Sequence, residues 1–204
     1  MQSAKHAYVV DDEDAIRRSL TLMLRLAGWG VSQFDSGTAF LDQSQTLEPN
    51  CVLLDVRMPG MDGLEVQREL IRRGIDFPIV MMTGHGEIPV AVAALKGGAV
   101  DFLEKPFQKA RLLAALDNAW LKLSDPEAYR RVRHEAATIL EALSGPERRV
   151  LDAFAQGFSN RGVADALGLA VTEVERCRAS LVEKLGGSSL PDAIRIAYLA
   201  QSTG

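Results

Sequence analysis

The sequence predicts a five-stranded, doubly wound parallel α/β domain followed by an all-α domain of four short helices, and three observations predict it. Between His6 and Leu123 five short apolar runs alternate with segments of helical periodicity, the pattern of a parallel sheet covered on both faces. Four of those runs stop at a polar group, at Asp11-Asp12, Asp55, Thr83 and Glu104-Lys105. From Leu143 onward the strand pattern is gone and glycines stand at helix ends.

Composition agrees with a soluble globular protein: 204 residues, 47% hydrophobic, 25% charged, formal net charge -4. The stretch Met1 to Ala7 is polar and no apolar run exceeds a few residues, so neither a signal peptide nor a membrane span is expected, and the expected location is the cytoplasm. Two cysteines, Cys51 and Cys177, make neither a disulfide framework nor a metal cluster. Cys51 reads as a buried thiol.

Taken in order, His6 to Val10 reads as the first strand, closed by Asp11-Asp12-Glu13-Asp14. Ile16, Leu20, Met23, Leu24 and Ala27 follow at helical spacing and stop at Gly28. Gly30 to Phe34 is the second strand, Gly37 to Gln43 a short helix and Cys51 to Asp55 the third strand. Leu64, Val66, Leu70 and Ile71 mark a helix ending at Gly74, and Phe77 to Thr83 the fourth strand. Pro89 falls in the first turn of a helix that Gly97-Gly98 end. Val100 to Leu103 is the fifth strand, and a last helix runs to about Leu123.

Right-handed crossovers bring the strand ends to one edge, which collects Asp11, Asp12, Asp55, Thr83 and Lys105. Ligands of open α/β sheets bind in the crevice outside those ends. Three carboxylates there call for a cation, and oxygen donors with room for water suit Mg²⁺. A hydroxyl and a lysine beside them can hold phosphoryl oxygens. An aspartyl phosphate on Asp55 is the coherent chemistry; the plainer alternative makes Asp55 a cap for the helix starting near Asp62. His85, between two glycines, reads as a surface-loop histidine rather than an acid-base group.

Val9-Val10-Asp11-Asp12-Glu13, the run Asp55 to Gly63, Thr83-Gly84 and Lys105-Pro106-Phe107 resemble the receiver domain of bacterial two-component response regulators over residues 4–122. Thr83 to Gly86 and Ala99 to Phe107 are most similar to the FixJ-like subgroup. The resemblance implies a flavodoxin-like (CheY-like) sheet and a phosphoryl group accepted on Asp55 from a sensor histidine kinase. It implies Mg²⁺ held by Asp11 and Asp12, with Asp12 and Asp55 as direct ligands and the backbone carbonyl of Arg57 completing the set, and Lys105 on the phosphate. It further implies a cis peptide before Pro106, movement of Thr83 toward the phosphate, and Phe102 following as an aromatic switch. A plain core phenylalanine is the alternative for Phe102.

Residues 123–142 read as a helical linker, with Asp125 as cap, Pro126 in the first turn and an apolar stripe of Val132, Ala136, Ile139, Leu140 and Leu143. In 143–204, Ser144 and Glu147 have capping-box spacing. Ser159 to Leu167, the turn Gly168-Leu169-Ala170 and Val171 to Leu185 have helix-turn-helix geometry, and a last helix starts at Ser189. Glu147-Arg148, Gly157 to Arg161, Val163-Ala164, Leu167 to Leu169, Val174, Arg178-Ala179 and Glu183 to Leu185 resemble the LuxR-type DNA-binding domain. That resemblance places Val171 to Leu185 in the major groove. It implies DNA contacts from Arg161, Glu173, Val174, Arg176, Cys177, Arg178 and Lys184.

The chain departs from that pattern. Glu173, Glu175 and Cys177 stand where the family usually carries Thr, Lys and His, and Gly162 replaces a scaffold-helix Glu. From Leu143 on, seven basic residues face seven acids, without the excess of positive charge that marks most DNA readers.

The expected function is a phosphorylation-switched transcriptional regulator that dimerises on phosphorylation and binds promoter DNA. Its only expected enzymatic chemistry is self-phosphorylation and slow dephosphorylation of Asp55. One alternative is a receiver-based interaction protein or phosphate sink whose helix-turn-helix no longer binds DNA. The other is a hydrolase working through an aspartyl phosphate, which would need an acid where Arg57 stands.

Overall fold

The computed structural model describes residues 4–84, 88–187 and 189–201; His85 and Gly86, expected beside Thr83, lie outside them. Contacts divide the chain into two units, Met1–His85 with Gly97–Tyr129, and Gly86–Lys96 with Arg130–Gly204.

In the first unit β1 (His6–Val10), β2 (Gly30–Phe34), β3 (Cys51–Asp55), β4 (Ile79–Thr83) and β5 (Asp101–Glu104) pair in parallel in the order β2-β1-β3-β4-β5. This is the flavodoxin-like order, whose switch point lies between β1 and β3. β4 is shorter than expected: Pro78 has no N–H to give a neighbouring strand, although its carbonyl accepts from Val52 N–H. β5 runs one residue later than expected, from Asp101.

The helices of the chain's first half are α1 (Asp14–Leu26), α2 (Gly37–Gln43), α3 (Gly63–Arg72), α4 (Ile88–Lys96) and α5 (Lys109–Ser124). β3 and β4 are buried at every position, as strands covered on both faces must be. On one face Val9, Leu53, Met82 and Leu103 share a buried cluster with Leu20 and Leu24 of α1 and Leu112 and Leu116 of α5. On the other, Tyr8, Phe34, Phe40 and Phe77 pack ring against ring. Each such buried side chain contributes about 1.5–3 kcal/mol relative to exposure.

The second unit holds α4 and α6 (Pro126–Glu141) from Arg130 onward, then α7 (Gly145–Ala155), α8 (Asn160–Leu167), α9 (Val171–Lys184) and α10 (Leu190–Gln201). Its core is built on Leu151, Phe154, Val163, Val174, Leu181 and Ile194, with Val92 and Leu95 of α4 and Ala136 and Leu140 of α6 in the same cluster. This division by contacts differs from the expected boundaries 4–122, 123–142 and 143–204 in two places. α4 groups with the second unit, and residues 130–141 are part of its core rather than a bare linker. The stripe of Ala136 and Leu140 has found its partner there.

The caps explain where helices begin. Ala128 N–H donates to Asp125 Oδ1 at 2.9 Å, and Ser144 and Glu147 form the expected capping box at the start of α7. Gly168 ends α8 at φ 65, a left-handed conformation glycine adopts without strain, and this reverses the chain into α9. Among the described residues no helix is long and apolar enough to cross a membrane.

Candidate functional site

The parallel register decides what meets at the carboxyl edge of the sheet. Val10 lies beside Leu54, Asp55 beside Met82 and Thr83 beside Glu104. The residues at or just past those ends, Asp11, Asp55, Thr83 and Lys105, are thereby gathered at one rim. Asp11, Asp55 and Thr83 are buried.

Lys105 Nζ lies 2.6 Å from Asp55 Oδ1 and 2.8 Å from Asp11 Oδ2. The second oxygen of Asp55 accepts from the backbone N–H of Arg57 at 2.8 Å, and Oδ1 of Asp11 accepts from Glu13 N–H at 2.9 Å. Burial pushes the Asp55 carboxyl up, Asp11 adds to that, and the Lys105 ammonium and the Arg57 N–H oppose it. Burial works downward on Lys105, yet its two carboxylate partners together hold its pKa above the usual value. The loop after β3 closes tightly. Gly63 N–H donates to Val56 O at 2.9 Å, and a Cβ on Gly63 would stand 2.2 Å from the Asp55 carbonyl oxygen.

The cap of α3 is Asp62, whose side chain accepts from Glu65 N–H while Glu65 reaches back to Asp62 N–H. This removes the plainer alternative for Asp55, whose oxygens face Lys105 and Arg57 instead. The Lys105–Pro106 peptide is cis, as expected, and Lys105 N–H donates to Thr83 O at 2.6 Å. Phe102 is buried on β5. Asp12 is exposed, and among the described residues no three acid, histidine or cysteine side chains assemble into a metal-ligating group. Of the expected ligand set, then, Asp11 and Asp55 come together while Asp12 stays outside. The Lys105 ammonium occupies the position between the two buried acids.

Two arginine contacts were not expected, one at the site and one at the opposite end of β5. Arg17 donates to the Asp11 carbonyl at 2.7 Å, and its spacing of three from Asp14, with which it also pairs, is the sequence signal for it. Arg111 grips buried Asp101 through both nitrogens, at 2.9 and 2.7 Å; an acid inside an apolar strand was the available sign. Cys51 is the buried thiol expected, its pKa pushed up to about 12 by burial.

In the second unit α8 and α9 form the expected helix-turn-helix. Ser159 caps α8 by accepting from Gly162 N–H at 3.2 Å. One expected DNA contact, Val174, is corrected, and a second, Lys184, has a partner inside the unit. Val174 is fully buried under α9, so its side chain cannot reach a base edge. Lys184 Nζ is held by Glu147, 2.8 and 3.0 Å from its two oxygens, and Ser180 Oγ donates to the same carboxylate at 2.7 Å. These bonds hold the Glu147 carboxyl down at about 2. Glu147 was expected only to cap a helix; in the fold it also ties α9 to α7. Glu173 accepts from Ala170 N–H at 3.0 Å and so caps its own helix. Cys177 is half-buried against the core, whereas Arg161, Arg176 and Arg178 are exposed.

Residues 7–117 match the family model of the response regulator receiver domain, and residues 141–197 that of the bacterial regulatory proteins of the luxR family. The transcriptional regulatory protein FixJ of Azorhizobium caulinodans is 40% identical over 200 residues, 98% of this chain and 95% of that one. The crystal structure of full-length FixJ from B. japonicum is similar with a TM-score of 0.58 at 39% identity, covering 100% of both chains. The response regulator TrrA of Thermotoga maritima, solved in complex with Mg²⁺ and BeF, has a TM-score of 0.52 at 27% identity, covering 56% of this chain and 98% of that one. The chain belongs to the FixJ-type two-component response regulators, phosphorylation-dependent transcriptional regulators that join a receiver domain to a LuxR-type helix-turn-helix.

Proposed function

We propose that Asp55 is the phosphoacceptor and that Asp11, Asp12, Thr83 and Lys105 serve the transfer. The observation that carries this is the single Lys105 ammonium shared by two buried carboxylates at adjoining strand ends. A carboxylate oxygen of Asp55 attacks the phosphorus of a histidine kinase phosphohistidine. The P–N bond breaks, its electron pair returns to the imidazole, and the ring takes a proton. Lys105 turns from Asp11 toward the arriving phosphoryl oxygens, and the Thr83 hydroxyl donates to one of them.

By its chemistry the donor set suits Mg²⁺: the carboxylate oxygens of buried Asp11 and Asp55 and of exposed Asp12, with the Arg57 carbonyl, are all hard oxygens. The TrrA complex, which contains Mg²⁺, supports the same assignment. These residues would hold Mg²⁺, which would supply positive charge to the transferring oxygens. Thr83, Phe102 and the segment at Pro106 carry the change of state onward, and a homodimer presents two copies of α9 to paired half-sites. The receiver chemistry is limited to transfer to and slow hydrolysis from Asp55, in the cytoplasm. Arg161 and Arg178, with Arg176, supply the positive charge toward DNA.

The test is transfer from a radiolabelled phosphohistidine donor in Mg²⁺. One equivalent labile to alkali and hydroxylamine is expected on the natural chain and none on Asp55→Asn. Stoichiometric label on another residue of Asp55→Asn overturns the assignment.

A further inference from the structure

We propose that a pocket at the amino end of the sheet binds a small organic amine, its N–H groups held by Asn50 and its apolar body laid against His6 and Leu47. The site is separate from phosphoryl transfer: β1 and β3 begin beside it and run to Asp11 and Asp55 at their other ends.

The register builds one wall. His6 and Tyr8 are two apart on β1 and so share a face, and Tyr8 is paired with Ser32 on β2. Asn50 stands immediately before β3. These four side chains and residues 46–49 line a pocket of about 750 Å³, a volume in the range of small-molecule sites.

Asn50 gives the pocket its demand. It is 7% exposed, and its Oδ1 has no hydrogen-bond partner among the described residues. The amide is not free to turn. Tyr8 donates its O–H to the Glu48 carbonyl at 2.8 Å, so toward Asn50 its oxygen can only accept. Burial pushes the Tyr8 hydroxyl up, and the hydrogen bond from Asn50 opposes that push. Asn50 thus gives its amino group to Tyr8 and turns its carbonyl oxygen to the pocket. A buried acceptor is costly to leave unpaired, so what the pocket takes must bring a donor.

Charge chooses among donors. Among the described residues that line the pocket, exposed Glu48 carries the only formal charge at pH 7, and its carboxylate is near enough to act on the Tyr8 hydroxyl. The His6 ring shares a hydrogen bond with Ser32 Oγ at 3.0 Å. Burial lowers its pKa, so it is neutral at pH 7. The lysines nearest in sequence are engaged elsewhere, Lys5 with Asp117 and Lys122 with Asp76. An anion therefore meets no counter-charge here. An ammonium meets the Asn50 oxygen and the Glu48 carboxylate, while the partly exposed His6 ring and Leu47 cover an apolar body.

The test titrates benzylamine, benzyl alcohol and benzoate, probes of similar size and different charge, into isotope-labelled full-length protein at pH 7 and follows amide shifts by NMR. Benzylamine is expected to move His6, Ser32 and Asn50 with a dissociation constant below roughly 10 mM. Benzyl alcohol should bind more weakly, and benzoate should leave these signals in place. Asn50→Leu should weaken benzylamine by roughly tenfold. Glu48→Gln, an exposed change that keeps the fold, should weaken benzylamine by roughly 2- to 5-fold and leave benzyl alcohol unchanged. Benzoate binding as tightly as benzylamine overturns the inference, as does benzylamine affinity unaltered by Asn50→Leu. Where Asn50→Leu fails to fold, Glu48→Gln decides, and unaltered benzylamine affinity overturns it. If benzylamine moves none of the three signals at the same concentration, Asn50 takes only water and the inference falls.

Discussion

The Lys105 ammonium stands 2.6 Å from Asp55 Oδ1 and holds Asp11 at the same time, so one positive charge serves two buried negative ones. Removing it leaves both carboxylates without a counter-charge. Lys105→Met is therefore expected to destabilise the protein in chelator by on the order of 3 kcal/mol and to lose part of that deficit in millimolar Mg²⁺. Thermal melts with and without EDTA check it; an equal deficit in both conditions would show that Mg²⁺ does not share the pocket with Lys105.

Asp55→Asn should do the opposite. Burial and Asp11 already push the Asp55 carboxyl up, so the folded state holds its charge at a cost. The amide removes that charge and leaves Lys105 with Asp11. A gain of about 1 kcal/mol, a few degrees in Tm, is expected in EDTA, together with loss of phosphoryl uptake. A lower Tm in EDTA would mean that the Lys105–Asp55 attraction outweighs the burial.

Glu147 gives the pH dependence with the other sign. Its carboxyl is lowered from 4.5 to about 2, first by Lys184 and then by Ser144 and Ser180. The folded form therefore prefers the carboxylate, and the stabilisation is complete above the unfolded pKa and lost as pH falls through the folded one. Lys184 is about half exposed, which screens the pair, so Glu147→Gln should cost about 1–2 kcal/mol at pH 7. Urea melts followed by circular dichroism should show that gap unchanged from pH 7 to 5 and narrowing from about 4.5 toward 2.

Gly162 offers a stabilising change. A Cβ there would meet Phe158 at 3.4 Å, an ordinary contact, and the position is inside α8. Gly162→Ala should raise stability by about 0.5–1 kcal/mol without altering the motif selected from DNA, as thermal melts and repeated selection would show.

The sheet and its site were readable because both rest on local pattern: buried strands are apolar runs, and their ends are marked by Asp11, Asp55, Thr83 and Lys105. Helix starts at Asp125 and Ser144 were readable because a cap bonds within four residues. What was hidden depends on chain packing across long separations. Val174 and Arg176 are neighbours in a helix whose orientation only the core decides. The pairing of Lys184 could not be read until Glu147, 37 residues earlier, was placed beside it. The grouping of α4 with the second unit likewise depends on where Val92 and Leu95 are buried, which no spacing within α4 states.

Gly63 contributes no atom to phosphoryl transfer, yet its missing side chain is what allows the chain to pass the Asp55 carbonyl. In a saturation-mutagenesis screen scored by phosphorylation, tolerance need not follow chemistry. Gly63 should reject all nineteen replacements as completely as Asp55 does, because even the methyl of alanine meets backbone rather than a yielding side chain. Mutational intolerance at this loop would then mark shape, and a map of sensitive positions drawn without the structure would place one catalytic residue too many.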